Sequence, residues 1–194
     1  FPELNIMIIV LLSGVITALV GILFGLPSLR IKGFYLAVAT LASQFFLIWL
    51  FNKVPWFYNY SDTGQITVSE RTMFGVAVTG ANAPSYATYL FCLILVVGLG
   101  FAAKNMIRSK IGRSWMAIRD MDIAAEIIGV SPLKTKLSAF AISSFYIGIA
   151  GSLYFAVYLG ALEVTESFDI MAISFPVLFM IIIGGLGSML GSFL

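Results

Sequence analysis

The sequence predicts an all-α protein, a polytopic bundle of transmembrane helices with about five full spans and the start of a sixth. Of its 194 residues, 60% are hydrophobic and 10% are charged, whereas soluble domains are about 45–50% apolar and about 25% charged. The excess apolar surface must therefore face lipid. The apolar residues form long continuous runs, which predicts helices because every backbone polar group in lipid needs a partner within its own segment.

Five uncharged runs are long enough to cross a bilayer as helices. We expect spans at about residues 4–26, 34–51, 86–103, 137–159 and 170–186, all within a single transmembrane domain covering 1–194. Because the chain starts without a methionine and stops inside an apolar run, we expect it to be part of a longer protein with further helices.

The distribution of lysine and arginine predicts the orientation. The loop 27–33 holds two basic residues and the loop 104–136 holds seven, while the loop 160–169 holds none and carries three acidic residues. Short basic loops stay in the cytoplasm, so 27–33 and 104–136 are expected inside, and 52–85 and 160–169 outside. Within the outer segment, the alternating run 65–69 predicts a short strand.

The cytoplasmic loop 104–136 contains a predicted short helix. Asp120 or Asp122 is expected to cap its N-terminus, and Gly129 to end it in a left-handed conformation. Between them lie small and apolar residues, Ile123, Ala124, Ala125, Ile127 and Ile128. Two interpretations stay open, a docking element for a partner protein and an amphipathic loop that lies on the membrane.

The residue types of enzymes are scarce in this chain. It has no histidine, which removes the commonest general base and metal ligand, and it has no P-loop. Residues 131–134 fit the SxxK pattern of some serine enzymes, but serine before proline is better interpreted as a helix N-cap. We expect no catalytic residue and no metal site, and a net charge of +2 gives no reason to expect nucleic acid.

Few polar side chains lie within the spans. Thr40 and Gln44 are four residues apart and share a helix face. Hydrogen bonding between helices, worth about 0.6 kcal/mol on average, is favoured over contact with a solute, and both residues are kept as candidates for a translocation path. The pairs Gly21–Gly25 and Gly187–Gly191 have the GxxxG spacing that lets helices approach closely.

Several stretches of the chain match the motifs of one known family. The most specific lies in the cytoplasmic loop, with the residues Gly112, Arg113, Ala117, Ile118, Arg119, Asp120, Ala124, Ala125, Glu126 and Gly129. Further matching stretches are 29–42, 136–154 and 183–191. By these residues the chain resembles the permease subunits of branched-chain amino acid ABC importers. The chain departs from the family at 61–65, where the family often has a glycine-rich stretch outside the second span.

The resemblance implies a transport subunit of the bacterial inner membrane, without an ATPase site or cofactor of its own. It would pair with a second related permease, two cytoplasmic ATPase subunits that use ATP, an extracytoplasmic substrate-binding protein and membrane lipid. The short loop helix would sit in a groove of an ATPase subunit, and ATP-driven closure would move it. The implied coupling residues are Gly112, Arg113, Arg119, Asp120, Ala124, Ala125, Glu126 and Gly129.

Two other classes of protein are alternatives to a permease for branched-chain amino acids or similar small solutes. A secondary transporter is suggested by the glycine-interrupted segment 184–191, since broken helices often line transport sites. The lack of charged residues in the spans and the basic loop with its docking-type helix argue against it. A membrane-embedded enzyme is disfavoured because the spans hold no histidine and no paired carboxylates.

The predicted orientation can be measured by thiol labelling. Single cysteines placed within 112–130, in a chain whose Cys92 is replaced by serine, should react with a membrane-impermeant reagent only from the cytoplasmic side, because basic loops are retained there. Intact cells and inverted vesicles give the two arms of the comparison. Labelling of these positions only from the periplasm would reverse the assignment.

Overall fold

The computed structural model describes residues 5–29, 34–58, 60–61, 65–73, 76–80, 83–163, 173–185 and 191. Its backbone is mainly helical, which confirms the predicted fold class. The chain divides into two compact units, one formed by Phe1–Ser43 and Val68–Gly160 and the other by Gln44–Thr67 and Ala161–Leu194. The single transmembrane domain expected for 1–194 stays a prediction.

The described elements follow one another in this order. The helices are α1 (Ile6–Ser28), α2 (Phe34–Lys53), α3 (Ser85–Arg108), α4 (Lys110–Asp120), α5 (Asp122–Ile127), α6 (Pro132–Leu153) and α7 (Phe175–Gly184). A 3₁₀ turn at Pro55–Tyr58 follows α2, and α6 continues as a π-helix over Tyr154–Leu159. The strands are β1 (Gln65–Thr67), β2 (Arg71–Met73), β3 (Val76–Thr79) and β4 (Ala161–Glu163).

Three helices of the described chain are long and apolar enough to cross a membrane. They are Ile6–Pro27, Ser85–Arg108 and Pro132–Leu159, with 22, 24 and 28 residues, and at about 1.5 Å per residue each exceeds a hydrocarbon core of about 30 Å. They lie at the first, third and fourth predicted spans. Helix α2 has 20 residues at the second predicted span. Helix α7 has ten residues within the fifth, whose ends at 170–172 and 186 lie outside the described residues.

The helices extend further at their basic ends than the uncharged runs. Helix α3 continues to Arg108, past the predicted end at 103, and α6 begins at Pro132, before the predicted start at 137. A charge does not end a helix once the chain leaves the hydrocarbon, because lysine and arginine heads reach water while their stems stay on apolar surface. The loop 104–136 is therefore mostly helical.

Helix α1 packs against α6 through glycine. A Cβ atom added at Gly21 would lie 2.7 Å from the Cβ of Ser144, and one added at Gly25 would lie 2.9 Å from the ring of Phe140. Only a residue without a side chain fits at such a distance, and in lipid this close approach drives helix association through van der Waals packing. The packing role predicted for Gly21 and Gly25 is confirmed. In the second predicted pair, Gly187 lies outside the described residues.

The same contact continues towards the N-terminal half of α1, with the glycine now on α6. A Cβ added at Gly148 would lie 2.7 Å from the Cβ of Thr17 and 3.0 Å from the Cα of Gly14. Ser13 shares its hydroxyl proton between the carbonyl oxygens of Val10 at 2.7 Å and Gly148 at 3.2 Å. Both helices thus contribute small residues to one continuous seam.

Strands cover the opposite end of this unit from α4 and α5, which we call the strand end. Strands β2 and β3 pair antiparallel, with a bulge between Arg71 and Thr72, and Val78 of β3 belongs to the buried cluster. The other members of that cluster come from α1, α3 and α6, and are Ile6, Val10, Phe91, Leu95 and Ile149. In the second unit β1 pairs antiparallel with β4, which confirms the predicted strand over Gln65–Thr67.

The α1–α6 contact can be tested with two glycines of the same helix. Gly148→Ala should destabilise the protein by about 1–3 kcal/mol, because the new methyl group overpacks the seam. Gly151 has no atom of the described chain within 4 Å of an added Cβ, so Gly151→Ala should be neutral or stabilising by up to about 1 kcal/mol through helix propensity. Thermal unfolding of the purified variants in detergent measures both, and equal behaviour would contradict the packing described.

Candidate functional site

Two helices, rather than the single one expected, occupy the connection between α3 and α6. The predicted helix is present as α5, while α4 was missed. The missed signal is a spacing of three, since Gly112, Trp115 and Ile118 lie on one face of α4. Gly112 and Ile118 are buried and Trp115 is half-buried. This face packs onto the bundle and presents the other faces of α4 outward.

Gly112 allows the sharp turn from α3 into α4. A Cβ added at this position would lie 2.6 Å from the Cα of Ile107 in the last turn of α3. Ser109 connects the two helices in an extended conformation, and both its backbone N–H and its hydroxyl donate to the carbonyl oxygen of Met106, at 3.0 and 2.6 Å. Position 112 therefore requires glycine, because a side chain there would collide with the backbone of α3.

Helix α5 begins without a side-chain cap. Its N-cap residue is Met121, with φ −153° and ψ 97°, and no side-chain hydrogen bond caps the helix. The predicted caps were therefore wrong, since Asp120 is the last residue of α4 and Asp122 is the first of α5. With one residue between the helices, Asp120 keeps a helical backbone and cannot adopt the extended N-cap conformation. Asp122 still lies in the first turn, where the helix dipole favours a carboxylate.

Helix α5 ends as predicted at Gly129, which has φ of 90°. The N–H of Val130 donates to the carbonyl of Ala125, and the N–H of Gly129 to that of Glu126, both at 3.0 Å. These two bonds form a Schellman motif, which satisfies the last carbonyls of the helix and requires a positive φ at the residue after the cap. The chain then turns back towards α6.

Helix α5 presents three isoleucines to the outside, which we call the isoleucine patch. Ile123, Ile127 and Ile128 are 74%, 82% and 75% exposed, whereas Ala125 on the opposite face is 2% exposed. Ile123 and Ile127 are four residues apart and therefore share a face. A short helix, capped only at its C-terminal end, is thus held to the bundle by an alanine, and it and the residue after it display apolar side chains away from the bundle.

The charges around the isoleucine patch are mainly acidic. Residues 119–129 hold three carboxylates and one arginine, a formal charge of −2. Arg119 forms an ion pair with its neighbour Asp120, with Nε and Oδ1 3.0 Å apart and both side chains about two-thirds exposed, so this pair adds little stability. A helix that rests on an anionic bilayer usually has basic residues on its polar face. Lys136 of α6 lies 3.8 Å from Asp122, and docking on a partner protein stays a prediction.

The predicted coupling residues separate into two groups. Gly112 and Ala125 are buried and hold α4 and α5 against the bundle. The others are exposed on α4, on α5 or at the end of α5, and are Arg113, Arg119, Asp120, Ala124, Glu126 and Gly129. The structure thus gives the first group a packing role, while docking by the second group stays a prediction.

Thr40 and Gln44, the candidates for a translocation path, both lie on α2. The side-chain amide of Gln44 donates to Ser174 Oγ just before α7, at 3.5 Å. This contact within the second unit is the kind of bond between helices that the sequence analysis favoured. Thr40 is exposed and makes a contact of its own.

A cavity at the strand end was not predicted. It has a volume of about 480 Å³ and lies between β3, the start of α3 and the π-helical end of α6. Thr88 Oγ1, which lines it, donates to the carbonyl of Val78 at 3.0 Å, and the buried Thr79 bonds to Ser69 and Arg71. The π-helix could not be foreseen from composition, because its apolar run reads equally well as α-helix.

Ser131 occupies the predicted N-cap position of α6, with Pro132 as the first helical residue. Its side chain makes no capping hydrogen bond. Its carbonyl oxygen accepts from the backbone N–H and the hydroxyl of Thr135, at 3.2 and 2.9 Å. The serine and proline therefore start a helix, which is the interpretation preferred over an acylating serine.

Sequence comparison finds relatives of this chain among known proteins. Residues 2–194 match the family described as the permease component of branched-chain amino acid transport systems. The chain is similar to the high-affinity branched-chain amino acid transport system permease proteins LivM of Salmonella typhimurium and Escherichia coli, with 33% and 32% identity over 197 residues. Each match covers 91% of this chain and 45% of the relative, so the chain spans just under half of their length. No solved structure matches it.

The Schellman motif at Gly129 predicts a local effect of substitution. Gly129→Ala should speed amide hydrogen exchange across 122–130 by roughly fivefold to thirtyfold, because a left-handed conformation costs a residue with a Cβ about 1–2 kcal/mol. Gly129→Asn should show a smaller change, since asparagine tolerates this conformation. Mass spectrometry of exchanged peptides measures both. Equal exchange in the alanine variant and the unaltered protein would contradict the motif.

Proposed function

The chain belongs to the permease component family of branched-chain amino acid transport systems, and we propose that it carries small solutes of this class across the inner membrane in an ATP-driven importer. It is a multi-pass inner-membrane protein and a transport component. In the proposal it works with a second related permease, two cytoplasmic ATPase subunits that bind and use ATP, and an extracytoplasmic binding protein that delivers the solute.

The isoleucine patch is the observation that carries the proposal. Single exposed apolar residues are normal, but three on one short helix outside the spans indicate an interaction surface. The Schellman motif and the buried Ala125 fix the direction of this helix. A rigid apolar helix of this kind suits the helix-in-groove mode of recognition, in which isoleucine side chains fill pockets of the partner.

The charges around the patch indicate the chemistry of the partner's groove. Asp122 and Glu126 are exposed and four residues apart on α5, so they share a face, and each directly precedes an isoleucine of the patch. We expect a groove with an apolar floor and lysine or arginine on its rim, since complementary charge sets orientation and partner choice.

The proposed cycle uses α5 as the moving contact. Binding of ATP closes the ATPase subunits, and because the isoleucine patch is seated in one of them, α5 moves with it. The displacement passes through α4 and the base of α6 into the bundle and switches access from one side of the membrane to the other. Thr40 and Gln44 are proposed as candidates for the path, since polar groups in a span turn away from lipid.

The docking proposal can be tested with a matched pair of isoleucines. Ile127→Gln should weaken binding of the ATPase subunit roughly tenfold to a hundredfold, because a buried isoleucine contributes about 1.5–3 kcal/mol. Ile111→Gln changes an exposed isoleucine of α4 outside the patch, and should leave binding unchanged. Co-purification of the permease followed by mass spectrometry identifies the bound ATPase, and ATP-driven uptake by vesicles gives the functional readout.

The outcome separates docking from membrane insertion. Both variants should reach the membrane at the level of the unaltered protein, since neither residue is buried. Loss of the ATPase and of uptake in Ile127→Gln alone supports the proposal. An ATPase retained equally by both variants would move the docking surface away from α5.

A further inference from the structure

Helix α4 is bonded to α6 by one indole. Trp115 Nε1 donates to Ser138 Oγ at 3.0 Å, across 23 residues of sequence, in a partly buried position. Trp115 lies in the middle of α4, and Ser138 lies in the second turn of α6. This bond therefore connects the helix that carries α5 to the base of a membrane-spanning helix.

In this bond the serine hydroxyl acts only as the acceptor. Its single proton goes to the carbonyl oxygen of Thr135, with Oγ and O 2.8 Å apart, so its lone pairs are free to accept from the indole N–H, which can only donate. The chain of bonds therefore runs from Trp115 through Ser138 to the backbone of α6. A displacement of the indole therefore acts directly on the first turns of α6.

A second link between these elements is weaker. Lys136 Nζ of α6 lies 3.8 Å from Asp122 Oδ2 of α5, and the two side chains are 43% and 50% exposed. Ion pairs at this distance and exposure contribute little, because water and salt screen them. The exposed ion pair therefore serves as a natural control for the indole bond.

The indole borders an open pocket. Trp115 lines this pocket of about 240 Å³ between α3, α4 and α6, whose other walls include Ala103, Ile142 and Tyr146. On this side the hydrogen bond of Trp115 adds a directional contact between α4 and α6. A directional hydrogen bond beside a cavity can keep two helices coupled while one of them shifts.

Helix α6 is suited to carry the displacement through the membrane. Its seam with α1 is closely packed, since a Cβ added at Gly148 would lie 3.0 Å from the Cα of Gly14. It also reaches the strand end, where its π-helical continuation lines the cavity of about 480 Å³. A shift at Ser138 is thereby connected to the other end of the same rigid pair.

We infer that Trp115 is a positioning residue that transmits the movement of α5 to α6 through its hydrogen bond to Ser138. The inference rests on the proposed function and adds a residue to it. Trp115 need not touch the solute or the ATPase. It passes the displacement of the docked helix α5 to the α1–α6 pair. Without this hydrogen bond, ATP is still hydrolysed, but less of the movement of α5 reaches the bundle.

The test uses the intact permease with its companion subunits in proteoliposomes. The variants are Trp115→Phe, which removes the N–H and keeps an aromatic ring, Ser138→Ala, which removes the acceptor, and Ser138→Thr, which keeps a hydroxyl. Lys136→Gln, which breaks the exposed ion pair, is the control. For each variant we measure the bound ATPase, the rate of ATP hydrolysis and the solute taken up per ATP hydrolysed.

We expect Trp115→Phe and Ser138→Ala to keep the ATPase bound and to lower uptake per ATP by roughly twofold to tenfold, the range that corresponds to one neutral hydrogen bond. The double variant should be no worse than either single one, since both remove the same bond. Ser138→Thr and Lys136→Gln should behave like the unaltered protein.

Failure of the proposed function and failure of this inference give different results. If the unaltered permease binds no ATPase and shows no ATP-dependent uptake, the proposed function is wrong and this inference falls with it. If the unaltered permease is active and both Trp115→Phe and Ser138→Ala keep its uptake per ATP, the inference alone is overturned. A loss in Lys136→Gln that equals the loss in Ser138→Ala would also overturn it, because the ion pair would then transmit the movement.

Discussion

The close approach of α1 and α6 is the constraint on which the first unit depends. In lipid there is no hydrophobic force between helices, so association needs backbone contact and good packing. Gly21 and Gly25 supply that contact from α1, and Gly148 supplies it from α6. The buried cluster at the strand end then forms around this pair, as Val78 of β3 and Phe91 of α3 pack against Ile149. The remaining surface of the helices is apolar and exposed, as a lipid-facing surface should be.

The connection 109–131 is held against the bundle that this helix pair organises. Helix α4 is held to α3 at Gly112 and to α6 at Trp115, while α5 is held by Ala125 and turned by Gly129. The same short stretch thus has a fixed inner face and an exposed outer face with the isoleucine patch. In the proposed function, a partner that binds the outer face acts on the base of α6, which packs closely against α1.

Much of this arrangement was predictable from local signals. The spans followed from length and apolar content, the seam from the spacing of Gly21 and Gly25, and the end of α5 from Gly129, because each depends on residues close in sequence. The caps at Asp120 and Asp122 were wrong because the length of the linker between α4 and α5 was unknown. Helix α4 was missed because its charged residues masked the spacing of Gly112, Trp115 and Ile118.

The sequence by itself determined that this is a helical membrane protein, which family it resembles, and that a short helix with isoleucines, ended by Gly129, lies in its basic loop. These properties follow from composition and from spacings of three or four residues, which local geometry fixes. Only the tertiary structure decided which glycines meet which helix, that Trp115 reaches Ser138, and that a cavity forms beside the π-helical end of α6. Such contacts join residues distant in the chain, and they depend on how the helices pack, which no local pattern encodes.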